Sequence, residues 1–239
     1  MNYSLKNIRT DEQGFTLVEL AVVMIIIGVL IGGILKGQEL ITNSRVTSTI
    51  SQMEALNAAY NDFFNQYNAI PGDMDDANTR IGQCGVAACV PGNGNGQVDL
   101  APGAAIVAGE ATRFFQHLLG AGYITGMDGS AAVLFGQALP TAAIGGGFGV
   151  GDSRFGGAVN FTNANMRPGV WLTQLGTPAA AIVNNGVFIP DQASRVDTKL
   201  DDGVANRGGL QSVAGLCSNA AGQYLAANTN VTCPVAYRM

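Results

Sequence analysis

Gly14-Phe15-Thr16-Leu17-Val18-Glu19-Leu20 opens the stretch that decides the fold. From Phe15 to Leu35 the chain runs for 21 residues, and Glu19 is the single charge among them. As a helix this run is about 31 Å long, enough to cross a hydrocarbon core of ~30 Å. Lys36 ends it. On its other side lies a short polar leader, residues 1–14, with Lys6 and Arg9 set against Asp11 and Glu12. A cleaved secretory signal fits poorly, because its apolar region is about 7–15 residues and a small-residue cleavage site follows it. Here no such site follows and an amphipathic pattern continues.

The continuation carries the helix onward. Leu40, Ile41, Val46, Ile50, Met53, Leu56, Tyr60, Phe63, Phe64 and Tyr67 recur at spacings of three and four, which is one buried stripe on a helix. No proline occurs between Phe15 and Pro71. The pattern therefore predicts one helix over 15–67, about 80 Å long. Its first part, 15–36, is apolar all round; its second part, 37–67, is amphipathic and would lie against a head formed by 68–239.

Composition narrows the function classes. Glycine is 33 of 239 residues, charged residues are 12% and hydrophobic residues 47%, which excludes a disordered chain. A net charge of -5 argues against nucleic acid as the main partner, since phosphate contacts need clustered Lys and Arg. With one histidine, His117, a multi-histidine metal site is excluded. No G-x-S-x-G, H-E-x-x-H or phosphate-loop motif is present, so no enzyme is expected.

The junction itself is specific. A short charged leader, Gly14, Phe15, a Glu at the fifth position after Gly14 and an apolar helix together resemble the class III signal of type IV pilins and type II secretion pseudopilins. The alternative is a plain signal anchor that tolerates Glu19 near the membrane surface. The resemblance implies a lollipop-shaped α+β protein, a long helix on a small antiparallel sheet. It implies cleavage between Gly14 and Phe15 by a prepilin peptidase on the cytoplasmic side, and N-methylation of Phe15. Glu19 would pair with the Phe15 amino group of a neighbouring subunit; two opposite charges in an apolar filament core, each unpaired in its own subunit, relieve one another on meeting. The implied partners are copies of the same chain, inner-membrane assembly machinery and minor pilins. The implied location is the inner membrane, single-pass with the head outside the cytoplasm, then an extracellular or periplasmic filament. The implied function is a filament subunit; a pseudopilin or minor pilin, and a membrane-anchored adhesin or binding module, are the alternatives. One departure is the lack of the helix-breaking proline many bacterial pilins carry. Gly28, Gly32, Gly33 and Gly37 stand there instead, where they could let the helix loosen in a filament or pack closely on a neighbour.

The head reads as follows. Pro71-Gly72-Asp73 is a turn; helices are expected over 109–119 and 190–200, with Pro190 in the first turn and Gly203 past the end. Strands are expected over 131–135, 157–161, 170–175, 210–216 and 231–237, and a glycine-rich loop over 144–151. His117 is expected to pack or face solvent. The four cysteines allow three pairings, and sequence proximity favours Cys84–Cys89 and Cys217–Cys233. The second pair resembles the disulfide that closes a C-terminal loop in many type IV pilins. Zinc is the alternative, but the anchor places the head where disulfides persist. No cofactor is expected beyond structural calcium. Its candidate ligands are Asp197, Asp201 and Asp202 near the C-terminus, and Asn93, Asn95 and Asp99 on the glycine-rich loop. The second set spaces its oxygens as an EF-hand does, but Val98 stands where that loop needs glycine and Ala104 where it needs glutamate.

Overall fold

The computed structural model describes residues 14–155, 166–180, 185–229 and 232–239. The chain divides into two units, one ending at Asn43 and one from Ser44 to Met239. Helix α1 (Leu17–Tyr67) contributes to both and is continuous through Gly28, Gly32, Gly33 and Gly37.

In the first unit, every apolar side chain from Leu17 to Leu35 is exposed. The helix starts at a capping box: the Thr16 amide and hydroxyl each donate to Glu19 Oε2 at 2.9 Å, and the Glu19 amide donates to Thr16 Oγ1 at 3.2 Å. Glu19 therefore has a partner within its own chain, contrary to the expectation that it is unpaired there. The reason is local: Thr16 stands three residues ahead, at the helix N-cap.

The second unit holds the core. Val46, Ile50, Met53, Leu56, Ala59 and Phe63 form the buried stripe of α1, with Thr49 between them. Of the residues assigned to that stripe, Leu40, Ile41 and Phe64 are exposed. Asn68 ends the helix in the left-handed region at φ 51°, and Arg80 covers the end, its guanidinium 5.2 Å from the centre of the Tyr67 ring and donating to the Tyr67 carbonyl at 3.0 Å.

Short α2 (Ala77–Arg80) leads into the hairpin β1 (Gln83–Cys84) and β2 (Ala87–Ala88). Helix α3 (Glu110–Gly120) packs Phe114, Phe115 and Leu118 inward. A four-stranded antiparallel sheet follows, in the order β3 (Gly147–Asp152), β4 (Val170–Leu175), β6 (Val235–Arg238), β5 (Leu210–Ser212). Helix α4 (Pro190–Leu200) lies in the chain between β4 and β5. Pro190 sits at its N-terminus, Gln192 Oε1 accepts the Ile189 amide, and Gly203 follows its end at φ 76°. The fold is α+β.

Two segments exchange roles relative to expectation. Residues 144–151 were expected as a loop, yet 147–152 form β3, buried along its length and paired residue by residue with β4. Glycine alternates there with larger residues. Phe148 and Val150 are buried in the core, while a Cβ on Gly151 would press into the Ala101–Pro102 backbone. Glycine lets another chain segment lie directly on the strand. Conversely, 131–135 were expected as a strand and instead form bends with one bridge from Phe135 to Leu139. Gly129 and Gly136, at φ 74° and 84°, fold this run back on itself before it can pair. The C-terminal strands are shorter than expected: Pro234, which has no amide to donate, precedes β6, and Gly215 at φ 84° turns the chain soon after β5. The strand expected over 157–161 lies outside the described residues.

Candidate functional site

The junction of leader and helix is placed by the Thr16 cap. Gly14, Phe15 and Thr16 precede the first helical turn, so the Gly14–Phe15 peptide lies outside the helix. Phe15 is 81% exposed, and Glu19 stands in the first turn of the helix among exposed apolar side chains. Among the described residues this surface is exposed, and the length and apolar character of the helix fit membrane anchoring.

The cysteines form two bridges, Cys84–Cys89 with Cα atoms 4.9 Å apart and Cys217–Cys233 with Cα atoms 5.4 Å apart. The first clasps the β1–β2 hairpin, with Gly85 in the left-handed region at its tip. The second ties the segment after β5 to the residue preceding Pro234 and β6.

The structure brings Asp197, Asp201 and Asp202 together, with one carboxylate oxygen from each within 4.8 Å of the others. The chain's own donors already engage them. Asp197 accepts the Tyr224 hydroxyl at 2.8 Å and the Gly203 amide at 3.2 Å. Asp201 accepts the Gly209 and Leu210 amides, and Asp202 pairs with Arg207 at 2.7 Å. Burial pushes the Asp197 carboxyl up to about 6, and its hydrogen bonds from Tyr224 and Gly203 only partly oppose that. Calcium takes about six to eight oxygens, so an ion here would have to displace these donors and draw on both oxygens of the carboxylates or on further ligands.

Asn93, Asn95 and Asp99 also meet, but as partners of one another. The two side-chain amides donate to the two oxygens of Asp99, at 2.6 and 2.8 Å. Two acids that sequence reasoning missed hold this loop from beneath. Asp73 accepts the Asn95 and Gly96 amides at 2.9 and 2.8 Å, and Glu110 accepts the Asn93 and Asp99 amides at 3.0 and 2.9 Å. Burial raises the Glu110 pKa, and the two amides partly counter it. The signal that could have found them is glycine-asparagine repetition beside buried-turn acids, since a loop dense in backbone amides needs acceptors. A cavity of about 300 Å³ beside the loop is lined by Asn93, Asp99, Glu110 and Arg113. All four are spent on holding the loop, Arg113 by donating to the Pro91 carbonyl. With these oxygens engaged, chelation is expected to leave the Tm of the protein unchanged; a rise of several degrees on adding calcium that Asp99→Asn abolishes would place the ion here.

His117 is fully buried rather than on the surface. Its Nδ1 accepts the Gly72 amide at 2.9 Å, and its Nε2 lies 2.9 Å from the Val90 carbonyl, which requires the Nε2–H tautomer. Desolvation lowers its pKa to about 4.

Residues 9–35 match the model of the prokaryotic N-terminal methylation motif, the class III prepilin signal of type IV pilins and pseudopilins. That signal points to a structural, pilin-type chain that is processed by a prepilin peptidase and enters pilus or secretion assembly. No curated protein and no solved structure matches the chain.

Proposed function

We propose that this chain is a structural subunit of a type IV pilus-like filament, cut after Gly14 and polymerised through α1. One observation carries the reading: the prepilin signal at 9–35 runs into a helix whose apolar side chains from Leu17 to Leu35 are all exposed in the single chain. In hydrocarbon that surface is covered by lipid, and in a filament by the same helix of other copies. Before assembly the helix anchors the chain in the inner membrane with the head outside the cytoplasm. On assembly the amino group of Phe15 on one copy replaces the Thr16 donors as partner of Glu19 on another, which sets the register of addition.

Glu19→Ala tests this. It is expected to leave the head folded and the chain in the membrane while filaments fall at least tenfold. Filaments at the normal level would contradict the assembly role and favour an anchored adhesin or binding module. A pseudopilin of type II secretion, or a minor pilin, is the second reading. The same signal supports it, and it predicts the processed chain in the membrane but little of it in sheared filaments.

A further inference from the structure

We infer that His117 is an acid-sensitive latch joining three parts of the head: the turn that ends α1, helix α3 and the disulfide-clasped hairpin. The argument rests on the roles its two nitrogens are forced into. Nδ1 must be an acceptor, because it faces the Gly72 amide at 2.9 Å. Nε2 must be a donor, because it faces the Val90 carbonyl at 2.9 Å. Only the neutral ring fills both roles, since an imidazolium donates from both nitrogens. A proton on Nδ1 would set two donors against each other.

Gly72 cannot yield. It has φ 86°, and a Cβ on it would strike the Glu110 carbonyl and the Phe114 backbone, so its main chain rests on α3 without a gap. The ring is also flanked by Phe63 of α1, inclined to it by 20° with centroids 6.4 Å apart. Protonation can therefore be relieved only by parting the turn from α3 or by swinging the ring out of the core. Swinging the ring out frees Val90, one residue beyond Cys89, whereas parting the turn leaves the Nε2–H bond to Val90 in place.

Among the described residues no acid stands ready to hold the imidazolium. The hairpin segment 83–90 has no charged residue. Asp73 on the turn is turned to Asn95 and Gly96, and Glu110 on α3 to Asn93 and Asp99. From α1, Tyr67 reaches this core as a neutral ring. The charge that His117 does feel is Arg113 of its own helix, which repels a second positive charge.

Nitrogen-15 NMR of the full chain in detergent micelles tests the latch. At pH 7 the ring is expected to show the Nε2–H tautomer and a protected Gly72 amide. On acidification the ring is expected to stay neutral until about pH 4, and the Gly72 amide should change together with it; a change in the signals of 84–90 at the same point identifies the swing of the ring. A ring that titrates near pH 6.5 while Gly72 and the hairpin signals stay fixed would overturn the inference. His117→Asn, which keeps an acceptor near Nδ1 but does not titrate, should abolish the linked change. If that variant fails to fold, the wild-type titration alone still decides.

Discussion

The two units of this chain treat their apolar residues in opposite ways. Between Leu17 and Leu35 the large apolar side chains are exposed, from 44% for Ile27 to 87% for Leu17. In the second unit Met53, Phe63, Phe114, Trp171 and Phe188 are wholly buried. The first surface fits membrane anchoring and, in the proposed filament, contact with further copies, whereas the second is buried within the chain itself. Substitutions should sort accordingly: those in the head should cost stability, and those in the apolar half of α1 should cost assembly.

Phe63→Ala should break the head most severely. Phe63 has no exposed surface and packs on Tyr67, His117 and Tyr123, so the loss should be about 3–5 kcal/mol, read from denaturant unfolding of the head. Breaking the Cys217–Cys233 bridge by Cys→Ala substitution at both positions comes next, at roughly 3 kcal/mol for a 16-residue loop. Asp73→Asn should cost about 1–3 kcal/mol, because one of its two amide partners would then face a donor.

The pH dependence sharpens the same point, since it arises from groups buried in the head. His117 has its pKa lowered from 6.5 to about 4, so its contribution is fully present above pH 6.5 and is lost as pH falls towards 4, roughly 3 kcal/mol in all. Asp197 has its pKa raised from 3.8 to about 6, so its contribution is present below pH 3.8 and is lost as pH rises through 6. The two oppose each other across pH 4–6, and the wild-type Tm should vary little there. In His117→Asn the raised Asp197 and Glu110 carboxyls act unopposed by the histidine, and Tm should rise on acidification from pH 6.5 to 4. A falling Tm in that variant would contradict the assignment. At the small end, Ile25→Ala, exposed by 67%, should change head stability by less than about 0.5 kcal/mol while weakening filaments.

The sequence announced what local chemistry controls. The helix is apolar all round to Leu35 and amphipathic beyond it, and the signal at its start is a dense motif, so both could be read directly. Helices α3 and α4 were found within a residue of their bounds because Pro190, Gly203 and the pair Phe114-Phe115 mark them. The Thr16-x-x-Glu19 cap was equally readable but hidden behind the expectation of a partner in another subunit. Strand β3 was not readable, because its glycines look like a loop until Pro102 and Ile106, some forty residues earlier, are seen lying against them. The Asp73 and Glu110 cradle was hidden for the same reason: its partners are brought together by the tertiary fold. Non-local contacts of this kind leave no period in the chain.

The most direct test of the filament claim is mass spectrometry of filaments sheared from cells that express this chain. The account predicts a dominant chain that begins with N-methylated Phe15 and lacks residues 1–14. An intact leader, or a chain absent from sheared filaments, would contradict it.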